Sequence, residues 1–113
     1  MFVVYLCSTE VWRHMCLGKI GCSKYLYGRW HTYLTGCPPG LTPSYDITFD
    51  AIWETTATSQ EELYDLEEEV HNEFHMFRMM RNKPGDSEWF DFEGRSPLDT
   101  VRAFMNTRSW VKR

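Results

Sequence analysis

Apolar and polar positions along this chain switch between a two-residue and a three-to-four-residue period, and the switches mark its elements. Phe2 to Cys7 is β-branched and aromatic throughout and predicts a first strand, central in its sheet. Trp12 to Cys16 reads as a connecting loop. Leu17 to Cys22 reads as a second, short strand, where Gly18 and Gly21 mark a bulge or a close backbone approach. Tyr27, Trp30 and Leu34 recur at helical spacing across Lys24 to Leu34, with Ser23 placed to cap the helix and Gly36 to stop it. Pro38-Pro39-Gly40 and Pro43 then impose a loop.

From Ile47 to Thr56 the period returns to two. Ile47, Phe49, Ala51 and Trp53 share one face, which predicts a third strand with one buried side. Ser59-Gln60-Glu61-Glu62 has the form of a capping box. Leu63, Leu66, Val70, Phe74 and Phe77 follow it at steps of 3, 4, 4 and 3, the stripe of a helix packed on a core. Arg78 to Ser87 reads as a loop around Lys83-Pro84-Gly85-Asp86, and Glu88 to Phe92 as a short extended piece. Ser96 can cap a last helix with Pro97 at its first position and Leu98, Val101, Phe104 and Met105 as its apolar face. Two strands in succession at the start imply a hairpin. The class is therefore α+β on an antiparallel or mixed sheet rather than a doubly wound α/β fold.

Composition narrows this picture. The chain has 113 residues, enough for one domain with one modest core, and its 42% apolar and 16% aromatic content belongs to a folded chain. No apolar run approaches the ~18 residues of a membrane span, and the opening run lacks the length and basic flank of a signal peptide, so an intracellular protein is expected. In that setting Cys7, Cys16, Cys22 and Cys37 are expected as reduced, buried thiols. A zinc site drawn from them with His14 and His31 lacks the usual close Cys-x-x-Cys pair.

The net charge of −4 is strongly segregated. Residues 1–45 carry four bases (Arg13, Lys19, Lys24, Arg29) against Glu10, residues 46–73 carry ten acids and no Lys or Arg, and residues 74–113 carry eight bases against five acids. The two basic ends suit a phosphate backbone, with Arg102, Arg108, Lys112 and Arg113 available to hold a strand, and most of the acidic run reads as a solvated helix face.

Three residues carry candidate chemistry. Glu67 lies beside the apolar stripe of its helix rather than opposite it, where a carboxylate can be held rigidly and still reach a cleft; a metal ligand is one reading and an ordinary boundary glutamate the other. His71 follows it by one turn. Arg29, in an aromatic-rich turn, has the planar fork that grips a phosphate, or stacks on a ring. Tyr5 is either a core aromatic or, beside a cation such as Lys19, a phenolate base.

Taken in order, these pieces resemble the GIY-YIG nuclease superfamily. Val3-Val4-Tyr5 is similar to its first signature, with the tyrosine kept and the glycine lost. Lys19-Ile20-Gly21 is similar to the second, with lysine for tyrosine, as in a phage-type branch. Arg29-Trp30, Thr35-Gly36-Cys37-Pro38, Glu67 four residues before His71, and Glu88-Trp89-Phe90 resemble further marks of that branch. The resemblance covers about residues 2–92. It implies a nuclease domain over 1–92, with the C-terminal helix and basic tail of 93–113 packed on it, and a three-stranded antiparallel sheet flanked by helices. It also implies a metal-dependent endonuclease that hydrolyses DNA phosphodiester bonds, with Mg2+ or Mn2+ held by Glu67. Tyr5 would lie near the attacking water and Arg29 on the charged phosphate. Lys19 would depress the pKa of Tyr5 or touch the phosphate, and Lys24, His31, Tyr33 and His71 would contact nucleic acid. With no attached DNA-reading domain visible, the expectation is a chain that is weakly specific, structure-selective or dependent on an additional specificity partner. The alternative is a catalytically inactive nucleic-acid-binding module on the same fold.

Overall fold

A computed structural model describes residues 1–24, 47–80 and 86–113. Its described strands are β1 (Val3–Ser8), β2 (Leu17–Ser23), β3 (Thr48–Glu54), β4 (Arg78–Met80) and β5 (Asp86–Asp91). The helices are α1 (Glu10–His14), α2 (Gln60–Glu73) and α3 (Pro97–Met105), with a 3-10 turn at His75–Phe77 after α2. The strands form one sheet in the order β3-β1-β2-β5-β4, every neighbouring pair antiparallel.

The α+β class stands, and the three-stranded sheet is corrected to five strands. The reason lies in the stretch from Arg78. It reads as a loop because β4 has only three residues, too few to show a period, while β5 begins inside the turn-rich sequence. The loop expected over Trp12 to Cys16 is likewise corrected. Thr9 Oγ1 accepts from the Trp12 N–H at 3.1 Å and caps α1, a helix of five residues that buries only Trp12. Cys16, at φ 60°, turns the chain from it into β2. The helix expected over Lys24 to Leu34 lies almost wholly outside the described residues.

The sheet separates two apolar clusters, which is why β1 is buried at every position. Val4, Leu6 and Ile20 face α2 and α3 and pack with Leu63, Val70, Phe90, Phe92, Val101 and Met105. Tyr5, Cys7 and Leu17 face the other way and pack with Trp12, Ile47 and Trp89, where the Trp12 and Trp89 rings meet edge to face at 5.0 Å. β3 is an edge strand. Ala51 and Trp53 are half-buried along it and Ile52 and Glu54 exposed. The single face expected for Ile47, Phe49, Ala51 and Trp53 is corrected, because the register against β1 shifts between Leu6 and Cys7, at Asp50. Ile47 and Phe49 therefore pack with Tyr5 and Cys7, while Trp53 packs on the helix-facing side.

Both long helices start as the sequence directs. Ser59 Oγ accepts from Glu62 N at 3.2 Å, although the Glu62 carboxylate turns back to Thr58 N at 2.7 Å rather than to the cap residue itself. Ser96 Oγ accepts from Asp99 N at 3.2 Å, with Pro97 in the first turn. The C-terminal segment then returns to β3, where Thr55 and Val111 form a bridge and Lys112 N donates to Glu54 O at 2.9 Å. No described helix is long and apolar enough to cross a membrane.

Candidate active site

β2 pairs with β1 from Lys19 to Ser23, but with β5 only from Leu17 to Lys19. Beyond the Lys19↔Trp89 pair the β2–β5 ladder stops. Polar side chains from β1, β2, α2, β4 and β5 gather around this split.

Tyr5 and Gly21 are cross-strand partners. The Tyr5 ring lies directly over the glycine: a Cβ at position 21 would fall 2.5 Å from the phenolic oxygen and 2.6 Å from Cζ. The close backbone approach read from Gly21 is therefore an approach by an aromatic ring, not a bulge. Phe49 holds the opposite side edge to face at 5.2 Å. Burial drives the Tyr5 pKa far above the usual value, and the charges of Cys7, Glu88 and Glu67 push the same way. Tyr5 is thus a neutral phenol. Lys19 does not hold it as a phenolate, since the buried Lys19 Nζ instead faces the Glu88 carboxylate at 3.5 Å.

Glu67 reaches the split from α2, half-buried, on the flank its helical position predicts. Burial, then repulsion from Glu88, raise its pKa to about 7, against a hydrogen bond from the Cys22 thiol and the charges of Lys19 and Arg78. Glu88 links the two sides of the split. It pairs with Lys19, and its field reaches Tyr5, Cys22 and Glu67.

His71, one turn after Glu67, is buried. Its Nε2 lies 2.8 Å from the carbonyl of Ile20, so Nε2 carries the proton and donates. That leaves Nδ1 as acceptor for the Arg78 guanidinium at 3.3 Å. Burial first, and Arg78 as well, lower the His71 pKa, in keeping with a neutral ring. Ile20 lies one residue past the last β2–β5 pair, so His71 satisfies backbone where the ladder has ended.

Glu88 is thus the common neighbour: Lys19 pairs with it, and its charge is felt at Tyr5, Glu67 and His71. Lys24 is exposed just past β2, with Nζ 5.7 Å from the centre of the Phe2 ring. Arg29, His31 and Tyr33 lie outside the described residues, as does Cys37. Of the four C-terminal bases read as strand-holding, Arg102 is exposed, 4.0 Å from Asp99, and the other three have partners within the chain. Arg108 meets Glu69 at 3.1 Å, Lys112 meets Glu54 at 3.4 Å, and Arg113 donates to Asn106 O at 2.8 Å. Cys7, Cys16 and Cys22 are free thiols, and burial pushes Cys7 up to about 12. Among the described residues no group of three or more His, Cys, Asp or Glu could hold a metal.

Sequence reasoning passed over Arg78 and Cys22. Arg78 sits in the stretch read as loop, and Cys22 counted only as a small hydrophobe. The signal for Cys22 was parity: it shares the helix-facing side of β2 with Ile20. Glu88 entered only through a motif, without its ion pair.

A family model described as the T5orf172 domain matches residues 3–110 of this chain. No curated protein matches it, and no solved structure does.

Proposed function

The chain belongs to the T5orf172 domain family, a phage-associated domain of the nuclease type, and from that premise we propose that it is a metal-dependent DNA endonuclease of the GIY-YIG type with its reaction centre at the β2–β5 split. The observation that carries this reading is Glu67: a half-buried carboxylate with a pKa near 7, within the electrostatic reach of Glu88, Lys19 and Arg78 and itself felt at the Tyr5 phenol.

The residues fit a hard divalent cation. Glu67 and Glu88 repel each other, and a cation relieves that repulsion. Mg2+ commonly takes one or two protein carboxylates and fills its remaining positions with water and phosphate oxygens. Glu67 would hold the ion, with Glu88 nearby. Bound Mg2+ or Mn2+ would supply positive charge to the phosphate oxygens as charge builds on them.

The chain's own groups do the rest. Lys19 is a fixed, nearly dehydrated cation, and low local polarity strengthens its pull on a phosphate. Tyr5, clamped between Gly21 and Phe49, is assigned by the resemblance to a place near the attacking water, which it would orient. Arg29 is assigned to the transferred phosphate by the resemblance. DNA is the proposed partner, and Lys24 is an exposed cation beside the split.

Supercoiled plasmid incubated with Mg2+, Mn2+ or chelator tests the reading. Nicked or linear product with metal, absent with chelator and absent for Glu67→Gln, is expected; equal cleavage by Glu67→Gln would overturn the assignment. The second reading, a binding module that has lost catalysis, draws on the strongly raised Tyr5 pKa. It requires retention of DNA with no cleavage in either metal.

A further inference from the structure

Cys22 stands at the split and has no task in the mechanism above. It follows Gly21, pairs with Val4 of β1, and is half-buried on the helix-facing side of β2 that it shares with Ile20. Its thiol hydrogen-bonds the Glu67 carboxylate. Two residues back along the same face, the Ile20 carbonyl accepts from His71 Nε2 at 2.8 Å. Among the described strands, α2 lies chiefly over β2.

The two contacts have matching steps. From Glu67 to His71 the helix rises about 6 Å. From Cys22 to Ile20 the strand advances about 7 Å. α2 therefore runs antiparallel along β2, with Glu67 over Cys22 when His71 is over Ile20. Seating His71 on the backbone delivers Glu67 to the thiol.

A thiol suits this place. A carboxylate paired with lysine or arginine already has its charge answered, and an incoming cation must displace that partner. An S–H is a weak, neutral donor. It fixes the direction of the carboxylate and leaves its negative charge to a metal ion. An alkyl thiol keeps its proton at neutral pH, and burial, then the Glu67 charge, push Cys22 further that way.

We propose that Cys22 is the positioning residue of the metal-binding carboxylate, its thiol holding Glu67 through their hydrogen bond in the orientation a hard divalent cation takes. This deepens the endonuclease reading and rests on it for the identity of the ligand, but its test is metal binding without DNA.

The experiment measures Mn2+ binding to the full chain from the free Mn2+ signal in electron paramagnetic resonance. Wild type is expected to bind, and Glu67→Gln to bind roughly tenfold more weakly or worse. Cys22→Ala and Cys22→Val both lose the donor, and each is expected to weaken Mn2+ binding roughly fivefold. Cys22→Ser restores a donor and is expected to stay within about twofold of wild type. Melting temperatures separate positioning from support of the fold. A half-buried thiol that only packs is replaced best by valine and worst by serine, whereas the Mn2+ affinities should rank serine first.

Wild-type Mn2+ affinity in folded Cys22→Ala and Cys22→Val overturns the proposal, as does a folded Cys22→Ser that binds no better than Cys22→Val. Should Cys22→Ala not fold, the serine and valine variants decide between them. Plasmid cleavage by a chain whose Cys22 variants all bind Mn2+ normally leaves the nuclease reading standing alone. Binding lost in the valine variant and restored in the serine variant, in a chain that cuts no plasmid, leaves this inference standing without it. A wild-type chain that binds no Mn2+ removes both.

Discussion

At the scale of single residues, Glu67 is a carboxylate kept partly protonated near neutral pH by its surroundings. A cation must compete with that proton, so metal-dependent cleavage should climb as pH rises through about 7 and level off above it, and a flat profile between pH 6 and 8 would contradict this. Stability of the metal-free protein runs the other way. A folded pKa raised above the usual 4.5 gives stability that is complete below that value and is lost as pH climbs through about 7. At pH 8 without metal, Glu67→Gln should therefore be more stable than wild type by on the order of 2 kcal/mol, less in high salt, as read from urea unfolding. The same variant should cleave about a hundredfold more slowly or worse. Tyr5→Phe separates packing from chemistry. The ring still fills the space between Gly21 and Phe49, so stability should stay within about 1 kcal/mol while the cleavage rate falls, and unchanged turnover would remove the hydroxyl from the reaction.

At the scale of elements, the helices are set by their ends. Ser96→Ala removes the acceptor for Asp99 N and should cost about 1 kcal/mol, seen as a lower urea midpoint at unchanged slope. Such caps were legible because they need only a few adjacent residues. The stripe of α2 was legible because fourteen residues give the period room to repeat. α1 and β4 were not, because five and three residues cannot show a period and their identity comes from what they pack against. The candidate site divides in the same way. Glu67 could be placed on its flank by helix geometry, and Gly21 on a close approach by its lack of a side chain. Arg78, Cys22 and the ion pair of Glu88 depend on where the β2–β5 ladder stops, a long-range fact that no local pattern encodes.

At the scale of the whole molecule, the segregated charge of the sequence is partly folded inward. Glu69 of α2 takes the indole N–H of Trp110 at 2.6 Å and the Arg108 guanidinium at 3.1 Å, while Arg108 also lies over Phe104 at 4.7 Å. The acidic helix thereby ties down the basic end of the chain, a use of charge opposite to the one composition suggested. Glu69→Ala leaves a half-buried indole N–H and a guanidinium without their acceptor. It should cost roughly 1–3 kcal/mol, read from thermal unfolding, with DNA cleavage per folded molecule unchanged. A large loss of cleavage at full folding would show that the C-terminal segment shapes the split.

The ring seated on Gly21 carries one more consequence. Positions 5 and 21 form a lock with a single key: an added methyl at 21 must evict the phenol, whereas a smaller apolar residue at 5 makes room for it. Gly21→Ala alone should unseat β1 from β2, and Tyr5→Leu should restore the fold of that variant without restoring its chemistry. Evolutionary drift at either site would then have to travel as a pair, and any lineage that gave up the glycine would have surrendered the tyrosine with it.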